Sequence, residues 1–139
     1  MSLNQIRARI GIFLLVAHAT MMALLLFFYF FGGFTFPEFM DSIGLIGPIF
    51  AAFTTIIVRW YLKNSHTIDN SEAVSRPYIF ITIGLPSFFV SFIILLIWAK
   101  AYNFGIESFA NFKTILALGE TGFAVSLGFL VESLFTENN

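Results

Sequence analysis

Four continuous apolar runs, at residues 10–31, 43–62, 78–99 and 114–135, constrain this chain more than anything else in it. A helix rising about 1.5 Å per residue needs about 20 residues to cross roughly 30 Å of hydrocarbon, and each run supplies them. The runs are apolar throughout and lack the alternation of a barrel strand, so each is expected to satisfy its backbone as a helix. The polar segments between them are too short to fold as separate domains. Composition agrees: 11% of residues are charged, 58% are hydrophobic and Phe occurs 20 times, whereas a water-facing domain carries about 25% charged residues. The expected fold is all-α, a single polytopic unit over residues 1–139 with four transmembrane helices in an antiparallel bundle.

Arg7 and Arg9 ahead of an apolar run, with Ala17, His18 and Ala19 inside it, mimic a secretory leader and its cleavage site. The run continues to Phe31, past the apolar length of a leader, so it is expected to stay as the first span. Arg7, Arg9, Arg59, Lys63 and Arg76 fall on one side of a four-span hairpin, and Lys100 and Lys113 on the other. Lys and Arg concentrate in cytoplasmic loops, which predicts cytoplasmic termini. Arg59, Trp60 and Trp98 stand near span ends and are expected as interface anchors. Residues 32–42 form an aromatic-rich turn, residues 63–77 are the most polar stretch, and residues 100–113 suit an interfacial helical turn.

Counting residues from the span edges sets side chains at common depths. His18, Thr54, Thr55, Ser87 and Ser126 all come out about 12–14 Å from the cytoplasmic edge, so every span offers a polar group to one layer. Glu120 lies higher, about 20 Å from that edge and level with Ser91. The hydroxyls have an ordinary role open to them, bonding their own helix or a neighbouring one. A carboxylate near mid-membrane costs roughly 2.5–3.5 kcal/mol, so Glu120 is expected to face protein or a watery space. There it either contacts an ion or lines a pore, with Ser126, His18, Thr54 and Ser91 as further contacts, or it makes a structural hydrogen bond. Gly119, Gly122 and Ser126 share one stripe of the fourth span; Ala124 and Gly128 lie on an adjacent one. Small residues four apart let helix backbones approach closely, which makes this span the expected contact helix within or between subunits. Pro48 and Pro86 each remove a hydrogen bond inside a span and can bend it.

No phosphate-cradling loop, nucleophile–base pair or metal-ligand spacing occurs, so neither an enzyme nor a bound cofactor is expected. A metal centre needs converging ligands, and the second His of the chain, His66, lies in the polar loop. The scattered basic residues form no stripe that could follow nucleic acid.

A single membrane-embedded Glu among four short spans resembles the small multidrug resistance transporters, in which the acid belongs to the first span rather than the fourth. The segments "IGPIFAAFTTIIVRWYLKN" at 46–64 and "GETGFAVSLGFLVESLF" at 119–135 are similar in layout to small four-span proteins that accompany sensor enzymes in bacterial defence operons. That resemblance implies a bacterial inner membrane, a homo-oligomeric channel or pore-forming effector in antiviral defence, and a cytosolic sensor or enzyme partner. A cation-conducting ring such as a tetramer, with Glu120 near its axis, is the first expectation for function. A small proton-coupled transporter, and a membrane scaffold for a partner, are the alternatives.

Overall fold

The structure, a computed structural model, describes residues 3–64 and 75–135. Four helices make it up: α1 (Leu3–Phe30), α2 (Phe36–Asn64), α3 (Arg76–Ala101) and α4 (Phe109–Phe135). All four are long and apolar enough to cross a membrane, and among the described residues there is no strand. The protein is an all-α four-helix bundle and, by the length and composition of its helices, an integral membrane protein.

The helices outrun the apolar segments because local capping, not hydropathy, sets their ends. α2 begins seven residues ahead of its apolar run, at Phe36 rather than Ile43. The cause is Thr35, whose backbone N–H and hydroxyl both donate to the Glu38 carboxylate at 2.8 Å. That is one arm of a capping box, a Glu at the third helical position reaching back to the cap. Pro37 falls in the first turn, where its missing N–H has no helical partner to lose. The N-terminal part of the expected 32–42 turn is therefore turn, and the rest is helix.

α1 and α3 stop by the same geometry. Gly32 at φ 80° and Asn103 at φ 53° adopt the left-handed conformation. The next amide in each case, Gly33 and Phe104, donates to Phe28 and Ala99 at 2.7 Å. This is the Schellman arrangement, in which one left-handed residue satisfies orphan carbonyls of the last turn. α2 and α3 remain helical through Pro48 and Pro86.

Around the bundle, α1 and α4 each pack on both α2 and α3, and α1 and α4 also meet across the short diagonal. Among the described residues the backbones of α2 and α3 do not approach each other. Small residues set the closest contacts. A Cβ at Gly119 would sit 2.8 Å from Cε1 of Phe92, and one at Gly122 would sit 3.0 Å from Cε1 of Phe89. Gly11 similarly admits Ile57 and Tyr61, whose hydroxyl donates to the Ala8 carbonyl at 2.6 Å. Outward faces carry Ile12, Val16, Phe80, Leu95 and Phe129, all exposed. In water such a surface would aggregate; in lipid it is the solvated face.

Candidate functional site

The site lies where α1 and α4 meet. The His18 ring of α1 is sandwiched between Phe50 of α2 and Phe123 of α4, with centroids 5.3 and 5.4 Å away. Phe123 in turn meets Phe89 of α3 at 5.9 Å. One aromatic layer thus contains a ring from three helices and the imidazole of the fourth. The His18 Nδ1 lies 2.9 Å from the Leu14 carbonyl, which only accepts, so Nδ1–H is the donor. In the neutral ring Nε2 is then an acceptor, and it has no partner among the described residues.

Glu120 stands three residues before Phe123, about 4.5 Å from the aromatic layer toward the end that holds the two short turns. It is 2% exposed, and neither carboxyl oxygen has a hydrogen-bond partner among the described residues. Thr54 stands four residues after Phe50, about 6 Å from the layer toward the end that holds the termini. Its hydroxyl oxygen is likewise buried and unpartnered among the described residues. Buried polar atoms are bonded in the large majority of cases. Here Glu120, His18 and Thr54 leave four such atoms unbonded in steps along one interior.

Apolar layers close this interior on both sides. Met21, Leu25 and Leu116, all fully buried, lie toward the turn end. Leu14, Ile57 and Leu127, also fully buried, lie toward the terminal end.

The expected site residues divide between this interior and other surroundings. Glu120 is buried inside its own bundle, 2% exposed. The physical reason is the glycine stripe, since Gly119 and Gly122 are consumed by Phe92 and Phe89 of the same subunit. A structural hydrogen bond from Glu120 is not seen among the described residues. Ser126 and Ser87 donate to the Gly122 and Ile83 carbonyls, and Thr55 to that of Ala51, each four residues back. Ser91 is exposed and does not join Glu120. Ala124 is half-buried, while Gly128 is exposed, with nothing within 4 Å of where a Cβ would stand.

Arg59 and Glu132 are both exposed. The Trp98 ring meets Tyr102 and Phe104 at the turn end, and Trp60 packs on Tyr61 at the other. His66 and most of the polar 63–77 segment lie outside the described residues.

A second polar cluster escaped the sequence reading. Lys100, 6% exposed, places Nζ 3.8 Å from Glu38, and donates to Asn103 at 3.2 Å and to the Glu107 carbonyl at 3.4 Å. Close by, Lys113 pairs with Asp41 at 2.7 Å. The Thr35-x-x-Glu38 spacing was the signal that could have placed this cluster at a helix start.

No protein-family model matches the chain, and neither does any curated protein or solved structure.

Proposed function

We propose that this protein carries a proton or a small monovalent cation across the membrane, with Glu120 as the binding group inside each bundle. The observation that supports it is the carboxyl group of Glu120, buried in the subunit with both oxygens unpartnered among the described residues. A buried polar group without a bond is costly, and an occupant that binds and leaves accounts for it. Glu120 brings at most one negative charge, which one proton or one monovalent cation matches. His18 and Thr54 supply the next acceptors along the interior. The apolar layers above and below make the site occluded, so exchange requires helices to part, as in a carrier. α2 and α3 suit that movement: each contains a proline, and among the described residues their backbones do not pack on each other, the Lys100–Glu38 pair joining them at the turn end. No catalysed reaction and no cofactor belong to this reading.

Purified protein in liposomes loaded with a pH-sensitive dye tests it. An imposed ion gradient should drive flux that saturates, and Glu120→Gln should abolish it. Flux of the same size in Glu120→Gln would remove Glu120 from the mechanism, and silence of the native protein toward protons, Na⁺ and K⁺ would remove the mechanism itself.

A second reading, a homo-oligomeric channel or pore-forming effector, is favoured by the outward half of α4. Gly128 is exposed with open space before it, so the Ala124–Gly128 pair remains free to meet another copy. This reading calls for single-channel steps in place of saturable flux, and a ring such as a tetramer. The layout resemblance adds a bacterial inner membrane, a defence role and a cytosolic sensor or enzyme partner.

For either reading we place both termini in the cytoplasm. Lys100 and Lys113 are paired with acids at the turn end, whereas Arg9 and Arg59 are exposed at the other. Five Lys and Arg residues, Arg7, Arg9, Arg59, Lys63 and Arg76, flank the spans at the terminal end against two at the turn end, which favours the terminal end as the cytoplasmic one.

A further inference from the structure

We propose that the groove between α1 and α3 binds one anionic phospholipid of the leaflet at the terminal end, its phosphate on Arg9 and an acyl chain along the helices. The groove has a volume of about 420 Å³ and is lined by Arg9, Phe13, Val16 and Thr20 of α1 and by Val90 and Ile94 of α3. From Arg9 to Thr20 it runs about 16 Å along α1. Half of a bilayer's hydrocarbon core is about 15 Å. The groove is therefore as deep as one leaflet, with its one cation at the level of the headgroups.

Its walls are apolar below Arg9, apart from the Thr20 hydroxyl, which donates to the Val16 carbonyl at 2.8 Å and so asks nothing of an occupant. Arg9 itself is exposed, and no described residue pairs with it. A guanidinium is held above an apolar channel with its charge unanswered, and a phosphodiester above an acyl chain complements both parts.

A second groove on the same molecule supplies the contrast. It lies between α2 and α4, has a volume of about 490 Å³, and is headed by Lys113. That ammonium is already engaged by Asp41 at 2.7 Å. The two grooves share a form and differ in whether the cation at the mouth is free, so the first is selective for anionic lipid and the second is not.

The test is native mass spectrometry of the full chain in detergent, titrated with phosphatidylglycerol or phosphatidylcholine. One phosphatidylglycerol should be retained about fivefold more tightly than phosphatidylcholine, the factor of one basic side chain at an anionic lipid. Arg9→Gln should bring the two lipids level, Arg9→Lys should keep most of the preference, and Lys113→Gln should leave it intact. Val16→Trp, which fills the groove from an exposed position and leaves Arg9 in place, should release both lipids. Equal retention of the two lipids by the native protein overturns the proposal, as does a preference that survives both Arg9→Gln and Val16→Trp. A dimer that retains neither lipid also overturns it, and assigns the groove to a second copy.

Discussion

Lys100 and Glu120 are both charged by nature and both buried, yet their surroundings are opposite. Lys100 sits at the turn end with Glu38, Asn103 and the Glu107 carbonyl around its ammonium. Glu120 sits at mid-bundle with no bond at all among the described residues. A buried charge that is fully partnered belongs to the scaffold: it fixes the two turns relative to each other, and Glu38 simultaneously caps α2. A buried acid that the fold leaves bare contributes nothing to holding the helices together. The same chain satisfies one such group and leaves the other open, and that difference is what turns an unusual residue into a candidate site.

The largest way to break this comparison is at the scaffold end. Glu38→Ala removes the carboxylate partner of a buried ammonium and the acceptor of both Thr35 bonds at the start of α2. Breaking a buried pair from one side costs about 3–5 kcal/mol, and loss of a helix cap about 1 kcal/mol. Because the Nζ–Oε1 separation is 3.8 Å and Glu38 is 20% exposed, the lower part of that range, about 3 kcal/mol, is expected. Unfolding by denaturing detergent, followed by circular dichroism, measures it. A loss under about 1 kcal/mol, the value of an exposed pair, would make the turn-end cluster ornamental and erase the contrast.

Glu120→Leu should move stability the other way. Removing an unbonded polar group from mid-membrane returns part of its burial cost, about 2 kcal/mol of the roughly 2.5–3.5 kcal/mol on insertion scales. The same unfolding assay should therefore show a gain, while ion flux is lost. Stability and activity then separate at one residue, as expected of a site that function retains against the interest of the fold. A large loss of stability would mean that Glu120 holds the helices together after all, and would return it to the scaffold class with Lys100.

The sequence made one side of this comparison readable and left the other hidden, for identifiable reasons. Four spans followed from hydropathy alone, because only helices can hide their backbone in lipid and a bilayer fixes their length. Glu120 in a protein-lined interior followed from the cost of facing lipid. Which interior was not legible, because a glycine stripe shows that a close contact exists without naming the helix on its other side. Gly119 and Gly122 meet Phe92 and Phe89 of the same chain, and that rotation carries Glu120 inward. Depth counting set His18 level with Ser87 and Ser126 but could not see that both serines spend their hydroxyls on their own helices. Lys100 served as a topology marker in the sequence. Its burial depends on residues 62 positions apart, Glu38 and Lys100, coming together at one end of the bundle, and spacing in one dimension does not encode that.

The smallest effect is expected within α4 itself, and it sharpens the division between contacts made inside the subunit and contacts left for another copy. Gly119→Ala puts a methyl group 2.8 Å from Cε1 of Phe92. That ring is 37% exposed and can swing toward lipid, so the cost is held to about 1 kcal/mol, the low end for overpacking. Gly128→Ala meets nothing within 4 Å and should change subunit stability by no more than about 0.5 kcal/mol. The two glycines separate again in particle mass, measured by light scattering in detergent. Gly119→Ala should leave the mass unchanged, since its contact is internal. If copies assemble through the outward face of α4, the bulkier Gly128→Leu should lower the mass while each subunit remains folded. A mass indifferent to Gly128→Leu would take from the channel reading the one surface that supports it, and leave ion movement to the interior of a single bundle.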